Sequence, residues 1–544
     1  MSEARTVLDA LEQTGDLYQN KIAVKDPEGI LTWAELIEKA KKAGRVIAAA
    51  VKEKPGYPVA ILSDKSRSCL TAMTGVIYAG GFYLVINPEQ PAKRMEKILE
   101  VASPKIVICQ SKYRKTLEET GWQGPVYDLD RLALGDALYP DPSKSAEEDQ
   151  NISNLMTGQT DYPMASRETM AEIRKKLNRE SPLYGIFTSG STGTPKCVLV
   201  SHGAVIDFIG HFSKIFGFQS DDVIASQAPF DFDVSIKDIF TAFFTGGMLL
   251  LIPREYFSTP KTLMDYLCDN HVTNLTWAVS ALCIISGFNC FSYRVPKDLR
   301  RVMFSGEIMP IKQLNIWMDH VTNARFVNLY GPSEITCNCT YYEVKRRFQK
   351  DEKLPLGQVF PGRTLLLLDS EGHVIEKADT AGEICVMGES LAIGYYHNPE
   401  ETEKHFVKYG PDQRRMYKTG DMAYLSKDGE MYFAGRKDFQ IKHMGHRIEL
   451  EEIERSIDSV DGVERSLCSF DAKKNRIYLY YKGTIDKTTL HRQIKESLPL
   501  YMVPNKFFHV REFALNKNGK IDRKALPDLE MIEDDRKMVS EVTG

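Results

Sequence analysis

Short apolar runs alternate with helically spaced apolar positions from the N-terminus to about residue 435. Val59-Ala60-Ile61-Leu62 is a continuous apolar run, which predicts a strand buried on both faces. Ala72, Val76 and Ile77 then fall at helical spacing. Lys105-Ile106-Val107-Ile108 predicts a second strand, and Thr276-Trp277-Ala278-Val279 a later one. Strands and helices in alternation imply an α/β fold of mostly parallel sheets with helices on both faces. Between about 129 and 181 the pattern lapses. The first half of that stretch is acidic, contains Ser and Pro, lacks an apolar period and reads as a loop. In its second half Met170, Ile173 and Leu177 predict a short amphipathic helix. The whole stretch is expected to be a surface insertion.

A different pattern starts near Gly435. Glu451-Glu452-Ile453-Glu454-Arg455 leads to Ile457 at helical spacing, Arg476-Ile477-Tyr478-Leu479-Tyr480-Tyr481 reads as a strand, and Asn518-Gly519 marks a tight turn. These features fit a small α+β domain of about a hundred residues. The expectation is a large N-terminal domain over 1–437, carrying the insertion, and a small mobile C-terminal domain over 438–544. At 544 residues the chain is too long for one core, and length alone suggests two to four domains or subdomains.

Charge and composition remove some function classes. A formal net charge of −4 leaves no basic footprint for nucleic acid or an anionic membrane. The longest apolar run, around Gly247-Met248-Leu249-Leu250-Leu251-Ile252, is too short to span a bilayer. Met1-Ser2-Glu3-Ala4-Arg5 opens a mixed polar stretch without a signal-peptide pattern. Ten cysteines without a framework of short spacings point to reduced thiols in a cytoplasm. Cys337-Asn338-Cys339 is the close pair, and no further metal ligands stand at suitable spacing from it.

The strongest chemical signal is Phe187-Thr188-Ser189-Gly190-Ser191-Thr192-Gly193-Thr194-Pro195-Lys196, entered from a strand that starts at Tyr184. Glycines and hydroxyl residues let backbone N–H groups and side chains wrap phosphate oxygens, and Lys196 adds a positive charge. A flexible Ser/Thr/Gly loop has the same composition. A P-loop NTPase requires Gly-Lys followed by Ser or Thr. Here Pro195 precedes the lysine and Cys197 follows it, so that reading fails.

This decapeptide resembles the phosphate loop of the acyl- and aminoacyl-adenylating superfamily, which includes acyl-CoA synthetases, luciferase-like enzymes and peptide-synthetase adenylation domains. Four further motifs resemble the family's in the same order. They are Asn328-Leu329-Tyr330-Gly331-Pro332-Ser333-Glu334, Tyr417-Lys418-Thr419-Gly420-Asp421, Gly435-Arg436-Lys437-Asp438-Phe439-Gln440-Ile441-Lys442 and Asn518-Gly519-Lys520-Ile521-Asp522-Arg523. The resemblance implies ATP and Mg²⁺ as cofactors. Thr188, Ser189, Gly190, Ser191, Thr192, Gly193, Tyr330, Ser333, Asp421 and Arg436 would bind ATP. Tyr330 offers a face to adenine, Ser333 a hydrogen bond to a phosphate oxygen, and Asp421 acceptors for the ribose hydroxyls. Glu334 would hold Mg²⁺. Lys196, Glu334 and Lys520 would be catalytic, Lys520 by neutralising charge as a carboxylate attacks the α-phosphorus. Asp438 would be the hinge. Two departures stand out: Cys197 replaces a glycine usual after the phosphate-loop lysine, and His446 stands where an aromatic is more usual before Arg447.

Phe232-Asp233-Val234-Ser235 resembles the amino-acid-recognising version of the fold, in which the aspartate pairs with an α-ammonium. A helix N-cap is the local alternative for Asp233, and Asp231 could equally take that role. By the family's spacing the pocket wall is Val234, Lys237, Thr276, Met303, Ser305, Leu329, Cys337 and Asn338. The chain is most similar to peptide-synthetase adenylation domains and stand-alone D-alanine:carrier-protein ligases. D-Alanine needs a small apolar pocket, for which Lys237 is wrong unless it faces solvent. A lysine enclosed there needs an anion or a dense hydrogen-bond shell, as a polar or acidic substrate side chain would provide. No carrier domain follows the Lys520 motif before Gly544, so a separate phosphopantetheinylated carrier protein is the expected partner, with coenzyme A the alternative acceptor. The expected activity is amino-acid activation as aminoacyl-AMP and transfer to that carrier, without nucleic-acid or membrane partners. D-Alanine:carrier-protein ligase, acyl-CoA synthetase and a non-catalytic nucleotide-binding sensor are the alternatives. Intact Lys196, Glu334, Asp421 and Lys520 argue against the sensor.

Overall fold

The computed structural model describes residues 4–134, 162–190, 193–472, 474–514 and 523–528. The chain clusters into two units. The first comprises Met1–Pro88, Ala102–Ile186 and Cys197–Lys437; the second comprises Glu89–Val101, Phe187–Lys196 and Asp438–Gly544. The division after Lys437 places Gly435 inside the strand Met431–Arg436 of the first unit rather than at the start of the second. Two earlier segments, one of them the phosphate-loop sequence, cluster with the C-terminal residues.

Two sheets of the first unit are largely parallel. Among the described residues one has nine strands, ordered Gln358–Val359, Thr340–Val344, Arg325–Tyr330, Arg301–Ser305, Asn274–Ala278, Val223–Ser226, Met248–Leu251, Ile22–Asp26 and Gly29–Thr32. Its middle strands run parallel, and antiparallel strands close both edges. The other sheet is parallel through Val126–Asp128, Ile106–Cys109, Pro58–Leu62, Phe82–Ile86 and Pro182–Thr188. Pro58–Leu62 and Phe82–Ile86 are buried at every residue, as strands covered by helices on both faces must be. The helix expected around Ala72 runs Arg67–Tyr78. The strand expected at Thr276–Val279 ends at Ala278, because Val279 opens the helix Val279–Gly287.

A third sheet departs from the parallel expectation. Arg363–Leu368, Gly382–Gly388, Arg414–Leu425, Phe406–Tyr409 and Met431–Arg436 pair antiparallel throughout. Short turns join neighbours such as Arg414–Leu425 and Met431–Arg436, and a parallel pairing would need a crossover of a dozen residues or more. Gly429, at φ +79°, supplies the left-handed conformation in that turn.

The stretch expected as a loop from 129 begins instead with a short helix, Leu129–Leu134. The helix predicted from Met170 and Ile173 runs Arg167–Lys176, while Leu177 is extended and buried just beyond it. Arg174 reaches Asp9 on the helix Val7–Tyr18, and Arg45 Nε donates to the Ala165 carbonyl at 2.8 Å. Residues 135–161 lie outside the described residues. No helix among the described residues is long and apolar enough to cross a membrane.

In the second unit the helix Leu450–Asp458 buries Leu450, Ile453 and Ile457 against Cys468, Ile477 and Leu479 of the sheet Val463–Asp471, Arg476–Gly483 and Lys506–His509. His446 stacks on Tyr501 with ring centroids 3.6 Å apart and planes 2° from parallel, so the imidazole fills an aromatic's packing role there.

Candidate functional site

The helix Val234–Thr245 forms the floor of the first unit's site. It is buried on all sides from Val234 to Phe244, packed by the helices Val7–Tyr18 and His202–Phe216 and by the strands Val223–Ser226 and Asn274–Ala278. Strand alternation decides what faces it. Leu275, Trp277, Val302, Phe304 and Phe326 belong to a core on one side of the nine-stranded sheet. Met303, Val327 and Leu329 belong to the core that holds Ile236, Ile239, Phe240 and Phe243 of the helix. Thr276 is the register partner of Met303, and Ser305 lies two residues further along that strand. Thr276, Met303, Ser305 and Leu329 therefore share the helix-facing side.

Asp233 stands at the helix N-cap but makes no side-chain cap hydrogen bond. Its Oδ2 accepts from Ser333 Oγ at 2.7 Å instead, which removes the simple capping reading. Lys237 is 1% exposed, so the solvent-facing alternative does not hold. Its Nζ donates to Ser305 Oγ at 3.2 Å and to Asn338 Oδ1 at 3.0 Å. Val234, Thr276, Met303, Leu329 and Cys337 are buried too.

A folded-back turn brings Cys337 and Asn338 to this place. A Cβ on Gly331 would lie 2.5 Å from the Asn338 Cα and 2.8 Å from the Cys337 carbonyl, so only glycine permits the approach. Thr336 and Cys337 adopt φ of +52° and +74°. For a β-branched residue that conformation is strained, by about 1–3 kcal/mol. Thr336 Oγ1 offsets part of it by donating to the Ser390 carbonyl at 2.7 Å. Cys337 Sγ donates to the Asp233 carbonyl at 3.3 Å, tying turn to helix. Among the described residues no group of three His, Cys, Asp or Glu side chains is arranged to hold a metal.

A second cluster in the same unit joins three of the sequence motifs. Tyr330 Oη donates to Asp421 Oδ2 at 2.6 Å, and Arg436 donates to Asp421 Oδ1. Burial, then the Asp421 charge, pushes the Tyr330 hydroxyl far above the usual phenol range, so it stays a donor. Glu334 is 1% exposed, and its Oε1 accepts from Tyr395 Oη at 2.7 Å.

The phosphate-loop sequence belongs to the second unit. Gly190 N–H donates to Glu452 Oε2 at 3.2 Å, Ser189 Oγ donates to the Arg447 carbonyl at 2.5 Å, and Arg94 pairs with Glu452. A Cβ on Gly190 would meet the Thr194 carbonyl oxygen at 2.0 Å, and Gly193 sits at φ +80°. Thr188 Oγ1 contacts the Lys196 carbonyl at 3.5 Å. Cys197 is fully buried, and a Cβ on Gly185 would lie 2.6 Å from its Sγ, so the thiol fills space that Gly185 leaves. Ser191, Thr192 and Lys520 lie outside the described residues.

The AMP-binding enzyme family matches residues 11–396. The chain belongs to this family.

Among relatives of this AMP-binding enzyme, tyrocidine synthase 3 of Brevibacillus parabrevis is 30% identical over 97% of the chain. The chain spans only 8% of that synthase's length. D-alanine--D-alanyl carrier protein ligase of Listeria innocua is 29% identical, covering 91% of this chain and 93% of the ligase. The structure of PA1221, an NRPS protein containing adenylation and PCP domains, superimposes with a TM-score of 0.76 at 20% identity, over 97% of this chain and 97% of that one. That likeness establishes the fold, with its large and small domains.

Several roles in the AMP-binding enzyme were not assigned from the sequence. Tyr395 holds Glu334, Gly331 permits the turn, and Glu452 accepts from the phosphate loop. Asp238 sits beside Lys237, and burial pushes it up to about 8 against the lowering effects of Lys237, Ser226, Lys65 and Thr276. Lys65 donates to the carbonyls of Ser226 and Gln227, both at 2.8 Å, and burial pulls it down to about 7. For Asp238 and Lys65 the sequence carries no motif, since their meeting depends on the tertiary fold.

Proposed function

We propose that the chain is an ATP-dependent, AMP-forming ligase that activates an amino acid and passes it to the phosphopantetheine thiol of a carrier protein. The observation that carries the amino-acid part is Asp233. Its carboxylate neither caps its own helix nor joins a cation among the described residues, and accepts only from Ser333. An α-ammonium supplies the missing charge, whereas a fatty or aryl acid would leave the carboxylate uncompensated. In the first step a substrate carboxylate oxygen attacks the α-phosphorus of ATP, the bond to the α,β-bridging oxygen breaks, and pyrophosphate leaves. In the second the thiol sulfur attacks the acyl carbon, the bond to AMP breaks, and the thiol proton passes to solvent.

Asp421 retains acceptor capacity for ribose, because a carboxylate offers about four lone-pair sites and Tyr330 and Arg436 use two. Lys196 and Lys520 would neutralise phosphate and carboxylate charge. A carboxylate together with substrate phosphates is a usual donor set for Mg²⁺, so Glu334 would hold that ion, which would offset the triphosphate charge. Tyr395→Phe removes the hydrogen bond that orients Glu334. It is expected to raise the Mg²⁺ needed for half-maximal activity about tenfold. A magnesium titration of pyrophosphate exchange reads this, and a superimposable curve would deny Tyr395 the role. Cysteines that form no disulfide among the described residues fit a reducing cytoplasm.

Pyrophosphate exchange with ATP, over all amino acids of both hands, tests the reading; exchange with none would defeat it. D-Alanine is the second reading, carried by similarity along 93% of a D-alanine ligase. The buried Lys237 weighs against it, because one methyl needs no cation.

A further inference from the structure

We propose that the substrate is a dicarboxylic amino acid whose side-chain carboxylate binds the Lys237 ammonium while its α-ammonium binds Asp233, a proposal that rests on the amino-acid-activating reading above. Asp233 and Lys237 are four residues apart at the start of one helix, the spacing at which opposite charges pair. They do not pair. Asp233 takes its hydrogen bond from Ser333, and Lys237 gives its two to Ser305 and Asn338. One helical turn thus carries a separated negative and positive charge, each held in place by neutral partners. A dicarboxylic amino acid carries the complementary pair.

Lys237 cannot be balanced from within. An ammonium has three donors, and only two are used here, both on neutral oxygens. Among the described residues no carboxylate stands within ion-pair distance of its Nζ. The adjacent Asp238 is the nearest candidate on the same helix. Burial raises its carboxyl to about 8 against the lowering effects of Lys237, Ser226, Lys65 and Thr276, so it is a weak counter-charge. Lys65, also near Asp238, supplies no negative charge. A buried ammonium facing only neutral groups favours an anion strongly over an amide or a methyl.

The test uses the full chain with ATP, Mg²⁺ and pyrophosphate, and compares aspartate, glutamate and 2-aminoadipate with asparagine, glutamine and alanine. A dicarboxylic acid is expected to exceed its own amide and alanine by at least about a hundredfold in kcat/KM. Lys237→Met is expected to lose about a hundredfold on that acid and to use the amide or alanine at least as well as before. A wild-type preference for a neutral amino acid would overturn the proposal while leaving amino-acid activation intact. Exchange with no amino acid would defeat both. The acid-against-amide contrast needs only the wild-type protein, so it decides even if Lys237→Met does not fold.

Discussion

Lys520→Ala is expected to slow adenylate formation by about 10²–10³-fold and to leave thioester formation from supplied aminoacyl-AMP close to normal. The proposed first step brings a carboxylate against a triphosphate, so negative charge accumulates where the acyl–phosphate bond forms. A preorganised cation at that point is worth about this much in rate when removed. In the second step the attacking group is a thiol and the leaving group is AMP, and the carboxylate charge has already been consumed in the mixed anhydride. A lysine placed for the first event therefore has little left to neutralise in the second. Single-turnover assays of the two half-reactions separate these outcomes. Equal losses in both would mean that Lys520 supports the fold or both steps alike, and would sink the assignment.

The parts of the fold legible in the sequence are those whose signal is local. Val59–Leu62 is apolar at each residue because a parallel strand is covered on both faces, and it forms part of the strand Pro58–Leu62. The antiparallel third sheet gave no comparable signal. Its longest strand, Arg414–Leu425, mixes buried and partly exposed residues and includes Arg415, Lys418 and Asp421. Gly190 and Gly193 stand out in the sequence, and the structure restricts each differently: a Cβ on Gly190 would lie 2.0 Å from the Thr194 carbonyl oxygen, whereas Gly193 sits at φ +80°. Boundaries were less legible, as Val279 shows by opening a helix where a strand was expected.

Side-chain partners were not legible where they are distant in sequence. Asp233 fits an N-cap on local evidence, and its actual partner, Ser333, comes 100 residues later. Lys237 could be read either way, since a lysine in the first turn of a helix is ordinarily solvated. Only the packing of that helix on all sides, with Ser305 and Asn338 meeting the ammonium, decides that it is enclosed.

Asp438→Pro is expected to keep adenylate formation and to lose thioester transfer by about 10²-fold or more. The two proposed half-reactions would use one acyl group with different partners, first a nucleotide and then a long pantetheine arm. The C-terminal domain is proposed to move between them, and motions of that kind are taken up by a few residues that absorb large φ/ψ changes. Asp438 is suited to this. The boundary between the two units falls between Lys437 and Asp438. Lys437 is anchored to the first unit, its N–H donating to the Gly420 carbonyl at 2.9 Å. Asp438 is exposed, so a change there removes no core packing, and its Oδ1 accepts from Gln440 N–H at 3.2 Å within its own unit. Proline would fix φ near −65° and delete the backbone donor. One arrangement would then be favoured over the other, and misplacement of a reacting group by about an ångström is enough for a 10²-fold loss. Pyrophosphate exchange and transfer of labelled amino acid to a phosphopantetheinylated carrier measure the two steps. Normal transfer by Asp438→Pro would rule out this hinge.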